Sequence, residues 1–227
     1  MIDGEFDAVL FDLDGTLVDT APDMVRVLQD MQAARDREPV AYEVGRRYVS
    51  NGAIGLLRLA FPDEGIDFGD AMHHEYLERY AEMICEESRV FDGLAGLLDW
   101  LDEAACPWGV VTNKPEYLTL PLLDALGLAS RSACTVSGDS LPVRKPDPGP
   151  LLLACNIAGI DAWRSIYVGD ASRDIEAGLA AGMATIAAAY GYITEDDDPR
   201  AWGADILATD TEELAQIVRK AVNLEGR

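Results

Sequence analysis

The chain has 227 residues, 49% of them hydrophobic, which excludes a disordered chain and is enough for one sizeable core and a small accessory domain. Forty-one acidic residues against 18 basic ones give a net charge of −23, which argues against nucleic acid or an anionic membrane surface as partner. No apolar run reaches the roughly 18 residues a membrane span needs, and the acidic start (Asp3, Glu5, Asp7) lacks the basic-then-apolar layout of a signal peptide.

The first predicted element is Ala8-Val9-Leu10-Phe11. Four apolar residues ahead of a Gly turn read as a strand buried on both faces of a parallel sheet. Asp12 and Asp14 follow it two positions apart, so both carboxylates aim at one spot where the strand ends. Ligands of open α/β sheets bind at such strand ends. Two anionic groups placed together resist ionisation unless a cation lies between them. The pair therefore asks for a hard divalent cation with oxygen ligands, Mg²⁺ first among them. A surface Asp-x-Asp-Gly turn is the bland reading of the same residues.

From about Thr20 to Arg89 the pattern is helical. Pro22 suits a first turn, and Met24, Val27, Leu28 and Met31 follow helical spacing. Asn51-Gly52 marks a turn, Ile54, Leu57 and Phe61 a short helix, and His73, Tyr76, Leu77, Tyr80 and Ile84 another stripe. No strand is expected here, so residues 19–90 read as a small α-helical domain inserted into a core of 1–18 and 91–227. Phe91-Asp92-Gly93 is the return to that core.

Helices and strands then alternate, as in a doubly wound parallel sheet of Rossmann-like α/β class. Helices are expected near Leu94–Ala104, Tyr117–Leu126, Leu151–Ala158 and Ile175–Ala181. Strands are expected near Trp108–Thr112, Cys134–Ser137, Ile166–Val168 and Thr185–Ala188, with a short last one at Ile206-Leu207. Thr209-x-x-Glu212 reads as a capping box for the C-terminal helix.

Three later segments carry chemistry. Val110-Val111-Thr112-Asn113 ends a strand in a hydroxyl and an amide, and Arg144-Lys145-Pro146 sets a basic pair in a Pro-rich loop. Tyr167-Val168-Gly169-Asp170 ends a strand in an acid, with Asp174 one helical turn on. Only three lysines occur, at 114, 145 and 220, which makes Lys145 hard to dismiss as an ordinary surface residue. Acid excess with few lysines fits a protein kept soluble in a salty interior and fits a plain solvated surface equally well. The scattered cysteines, Cys85, Cys106, Cys134 and Cys155, read as buried thiols in a reducing cytoplasm rather than a zinc site or a disulfide framework.

In order, Asp12-x-Asp14-x-Thr16, Thr112, Lys145 and Gly169-Asp170-x-x-x-Asp174 span nearly the whole chain, and with them the sequence resembles the haloacid dehalogenase superfamily phosphatases. The resemblance implies a Mg²⁺ held by Asp12, the backbone carbonyl of Asp14, and Asp170. It implies Asp12 as nucleophile, forming an aspartyl-phosphate, and Asp14 as general acid and then base. Thr112 and Lys145 would hold the phosphoryl oxygens, Thr16 and Asn113 would add substrate contacts, and Asp174 would orient Lys145 or a metal-bound water. Residues 19–90 become a cap that selects the substrate, with Asn51 and Gly52 the loop to meet it. The partner is a small phosphorylated metabolite, and the protein a cytoplasmic monomer or homodimer.

Rival chemistries on this fold can be weighed. Dehalogenases of the superfamily generally lack the second aspartate, which is present as Asp14. Phosphonatases need a cap lysine, and residues 19–90 contain none. A sugar-phosphate mutase keeps the same motifs, whereas a non-catalytic binding protein would be expected to have lost some of them. Ala171 departs from the family, where many members have a carboxylate or hydroxyl after Gly-Asp; this bears on metal affinity. The stretch from Asp12 to Asp23 is similar to phosphoglycolate phosphatases. Phe91-Asp92-Gly93, Trp108 to Pro115, Tyr190-Gly191-Tyr192, and Asp198-Pro199 with Trp202 to Asp205 look closer to N-acetylmuramic acid 6-phosphate phosphatases.

Overall fold

A computed structural model describes residues 6–222, so Asp3 and Glu5 of the acidic start lie outside the described part. The chain enters on β1 (Ala8–Phe11) and β2 (Val18–Asp19). It runs through α1 (Ala21–Ala33), α2 (Tyr42–Arg46), α3 (Gly52–Ala60) and α4 (Ala71–Glu82), and returns on β3 (Arg89–Val90). Then come α5 (Leu94–Glu103), β4 (Trp108–Val111), α6 (Glu116–Ala125), β5 (Thr135–Val136), α7 (Gly149–Ala158), β6 (Ser165–Gly169), α8 (Ser172–Ala180), β7 (Ala184–Ala188), β8 (Ile206–Ala208) and α9 (Thr211–Ala221).

Six strands form one parallel sheet in the order β5-β4-β1-β6-β7-β8. The α/β class expected from the sequence is the class observed. β1 shows why its apolar run is unbroken. Val9 and Phe11 face the core shared with α5 and α9, while Leu10 faces the core under α7 and α8. All four residues of the strand are fully buried, as covering both faces demands. From β1 the chain builds outward through β4 and β5, then crosses back to β6 on the other side of β1. The order therefore switches around β1, and the crevice for a ligand opens at the carboxyl ends of β1, β4 and β6.

The helices α1, α3 and α4 enclose a second core, in which Met24, Val27, Leu28 and Met31 meet Leu56, Leu57, Tyr76 and Tyr80. Asp23, fully buried in the first turn of α1, accepts bonds from Glu87 N, Ser88 N and Ser88 Oγ at 2.6–2.9 Å, which ties the start of this helical unit to its end. No helix among the described residues is long and apolar enough to cross a membrane.

Two local expectations need correction. The stretch from Thr20 to Arg89 was expected to hold no strand, yet Arg89–Val90 pairs antiparallel with Val18–Asp19. A two-residue strand is too short to show a period of two. The capping box of the last helix is displaced by one residue from Thr209 and Glu212. Asp210 is the N-cap and accepts from Glu213 N at 2.8 Å, and Glu213 accepts from Thr209 N and Oγ. Thr and Asp are both good N-caps, and the sequence placed them side by side.

Candidate active site

Asp12 continues β1 beyond its last strand residue, its N–H donating to Val168 O on β6 at 2.8 Å. Asp170 leaves the end of β6, and Asp174 sits in the first turn of α8, where its Oδ2 accepts the Ala171 N–H at 3.1 Å. One carboxylate oxygen from each of Asp12, Asp170 and Asp174 lies within 4.8 Å of the others, and all three residues are buried. The chain approaches this point closely. A Cβ on Gly15, where φ is +83°, would stand 2.1 Å from Asp170 Oδ2, so only glycine fits the turn.

Lys145 enters the cluster from the loop after β5, its side chain 1% exposed. Its ammonium lies 2.8 Å from Asp12 Oδ1 and 2.7 Å from Asp174 Oδ1, and it donates to Val111 O at 2.9 Å and Tyr167 OH at 2.7 Å. Burial raises the Asp12 carboxyl above its usual range, against the pull of Lys145. Burial, then the charges of Asp12 and Asp174, push Asp170 up to about 7. Arg173 is the other cation beside the cluster. Burial works against its charge, but Asp174, Asp12 and Asp170 together raise its pKa above the ordinary arginine value.

Asp170 Oδ1 is buried without a hydrogen-bond donor. Its partner oxygen accepts from Ser50 Oγ at 2.6 Å and from Tyr192 N at 2.8 Å. Three carboxylates, an undonated oxygen and a crowded negative charge are the surroundings a hard divalent cation fits. The acidic cluster gathers Asp12, Asp170 and Asp174; the Asp14 carboxylate is turned elsewhere, its Oδ1 accepting from Lys114 Nζ at 2.8 Å and Thr20 Oγ1 at 2.7 Å.

The remaining expected residues are close by. Thr112 follows the last residue of β4, its Oγ1 accepting Lys114 N–H at 3.1 Å, which leaves its own O–H to donate. Thr16 Oγ1 is buried without a hydrogen-bond partner. Asn113 clamps the main chain of Lys145 with both ends of its amide, at 3.0 and 3.1 Å, so it shapes the loop that delivers the lysine. Asn51 is exposed and Gly52 follows it at the start of α3. Their neighbour Ser50, in the same turn, is the residue that bonds Asp170, and Arg173 holds the Ser50 carbonyl at 2.7 Å.

Sequence reasoning missed Ser50, Tyr80, Lys114, Arg173 and Tyr192 as members of the site. Lys114 carried a signal as one of three lysines and two residues after Thr112, and Tyr80 and Tyr192 were visible only as members of a helical stripe and of the Tyr190-Gly191-Tyr192 motif. Two of those three lysines are buried here, which brings local positive charge into an otherwise strongly acidic protein.

Comparison with known proteins decides the family. The sequence pattern described as haloacid dehalogenase-like hydrolase matches residues 9–188, from β1 to the end of β7. The chain belongs to that family. Within it, the chain is 43% identical over 219 residues to the N-acetylmuramic acid 6-phosphate phosphatase of Pseudomonas aeruginosa, covering 95% of this chain and 96% of that one. It is also 43% identical over 207 residues to the phosphoglycolate phosphatase of Xanthomonas campestris pv. campestris, covering 91% and 94%. A solved structure described as a predicted phosphoglycolate phosphatase from Haemophilus somnus superposes with a TM-score of 0.80 at 25% identity, covering 94% and 98%. These relatives place the chain among the phosphatases of the haloacid dehalogenase-like family, the resemblance its four motifs implied.

Proposed function

We propose that this protein hydrolyses a small phosphomonoester, N-acetylmuramic acid 6-phosphate first among candidates, by nucleophilic attack of Asp12. The observation that carries the reading is the different surroundings of two acids two positions apart. Asp12 lies in the buried cluster under Lys145, while Asp14 is turned to a separate pair of donors. Two carboxylates in different surroundings suit two different roles.

In the first step an Asp12 oxygen bonds to phosphorus as the ester oxygen departs, and Asp14 gives that oxygen its proton. In the second, Asp14 takes a proton from water, the water oxygen bonds to phosphorus, and the bond to Asp12 breaks. Lys145 and the Thr112 hydroxyl supply positive charge and a donor where phosphoryl charge is spread. A Mg²⁺ held by Asp12, Asp170 and the Asp14 carbonyl would neutralise charge between nucleophile and substrate. Asp174 pairs with Lys145 and would fix its position rather than touch the substrate. Residues 19–90 would act as a cap closing over the crevice, and the four free cysteines suit a cytoplasmic setting.

The substrate reading rests on the likeness of Trp108 to Pro115, Tyr190 to Tyr192 and Trp202 to Asp205 to the muramic acid enzymes, and on overall identity to one of them. Relatives named for phosphoglycolate are equally similar. A phosphate-release screen against both compounds and a panel of sugar phosphates, with Mg²⁺ and with chelator, tests the proposal. Preferred turnover of N-acetylmuramic acid 6-phosphate that chelator abolishes is the expected result. Preference for phosphoglycolate replaces the substrate, and isomerised sugar phosphate without phosphate release replaces hydrolysis by a mutase reaction.

A further inference from the structure

Lys114 is buried, its side chain 5% exposed, and it has no place in the phosphoryl-transfer steps above. Burial works against its charge, and it stays charged because Asp14 and Tyr80 outweigh that cost. Its ammonium has two partners: Asp14 Oδ1 at 2.8 Å and the Tyr80 hydroxyl at 3.0 Å. Tyr80 comes from α4, in the helical unit, and is itself fully enclosed. Thr20, at the N-cap of α1, gives its hydroxyl to the same Asp14 oxygen at 2.7 Å and makes no cap bond with it. One oxygen of Asp14 is thus fixed by two donors, Thr20 where the chain passes into the helical unit and Lys114 from the loop after β4, itself held by Tyr80 of that unit, and the other oxygen is left for proton transfer.

We propose that Lys114 is a positioning residue for the proton-transferring carboxylate of Asp14, and that Tyr80 makes this positioning depend on the helical unit being seated on the sheet. The inference rests on the acid–base role of Asp14 proposed above. Lys114 is placed to act through Asp14 and not on the phosphoryl group. Its loss should therefore be felt in proportion to the need of the leaving group for a proton, since a poor leaving group depends on general acid help and a good one does not. A lysine that only braced the fold would slow both substrates alike.

The test uses 4-nitrophenyl phosphate and phenyl phosphate, which differ little in shape but strongly in leaving-group basicity. Asp14→Asn is measured first. It should lose about 10²–10⁴-fold in kcat/KM, which reads the step in which the ester oxygen leaves, on phenyl phosphate and far less on nitrophenyl phosphate; equal losses in kcat/KM remove the acid role and with it the reading on which the inference stands. Lys114→Met should then show the same selectivity, with a loss in kcat/KM at least about tenfold larger on phenyl phosphate. Placed in the Asp14→Asn background it should cost nothing further, since two residues acting as one unit are not additive. Tyr80→Phe keeps the ring and removes only the hydroxyl, so it reads the second half of the proposal and serves if Lys114→Met does not fold. It should give a smaller loss with the same selectivity. If Asp14→Asn is selective while Lys114→Met slows both substrates equally, or adds fully to Asp14→Asn, the positioning role is overturned. An unchanged Tyr80→Phe, or one that slows both alike, overturns the dependence on the helical unit.

Discussion

The Lys145 ammonium lies 2.7 Å from Asp174 Oδ1, and neither side chain is more than 1% exposed. The same ammonium is 2.8 Å from Asp12. In a chain of net charge −23 this buried cation, with Arg173 beside the cluster, offsets two carboxylates buried side by side. Breaking a buried pair by deleting one partner leaves an uncompensated charge and costs about 3–5 kcal/mol. Lys145→Met should therefore lose about that much stability in urea denaturation with chelator present, besides losing activity. A loss near the 0–1 kcal/mol of a surface pair would show that the cluster does not depend on the lysine.

Asp12 leads the mechanistic reading. Asp12→Asn keeps the size of the side chain and one oxygen while removing the nucleophile. It should abolish turnover with the circular-dichroism spectrum unchanged. Turnover that survives in a folded Asp12→Asn protein moves the nucleophile elsewhere.

The acidic cluster should make metal binding visible without any assay of activity. Asp170 has its pKa pushed up to about 7 by burial and by Asp12 and Asp174. The folded state then binds more protons than the unfolded one between the usual carboxyl value and about 7. In chelator, stability from this group falls as pH rises through that window and levels off above it. Mg²⁺ competes with the proton for the same oxygens, so the rise in Tm on adding Mg²⁺ should be larger at pH 8 than at pH 5. Asp170→Asn should remove most of that rise. An equal rise at both pH values, or one that survives in Asp170→Asn, would separate the metal from this cluster.

Gly52 sits at φ +67°, ψ −169°, a conformation essentially reserved for glycine, directly after the turn that brings Ser50 to Asp170. An added Cβ there meets nothing within 4 Å, so substitution costs backbone strain, about 1–3 kcal/mol, and no clash. Gly52→Val should shift the turn and impair a sugar phosphate far more than acetyl phosphate, which is too small to need the helical unit. Parallel losses on both, or none on either, would leave specificity to another part of residues 19–90.

What the sequence disclosed follows from distance along the chain. β1 was legible because burial on both faces leaves a continuous apolar run, and Asp12 and Asp14 because a strand fixes the spacing of its neighbours. Asp174 was legible because four residues make a helical turn. Ser50 was not, since its partner Asp170 lies 120 positions away and a serine in a turn has many ordinary uses. Lys114 and Tyr80 were each visible, one as a rare lysine and one as a member of a helical stripe, but their meeting across 34 positions depends on how α4 lies against the sheet. Asn113 is expected as a substrate contact on the family resemblance, and the structure adds what the sequence did not show, its amide bonded to the Lys145 main chain.

The antiparallel pair of β2 and β3 has a consequence for how such a protein can change over generations. The chain leaves the sheet at Val18–Asp19 and comes back at Arg89–Val90, directly alongside. The two ends of everything between them are one strand spacing apart, about 5 Å. A segment joined that way can lengthen, shorten or be exchanged at little entropic cost, since doubling a loop costs only about 0.6 kcal/mol. Neither the order of the six strands nor the seating of Asp12, Lys145 and Asp174 runs through it. A lineage that keeps the contacts of Thr20, Ser50 and Tyr80 can therefore rewrite the rest of the intervening stretch, which is a route to new substrates that needs no new chemistry.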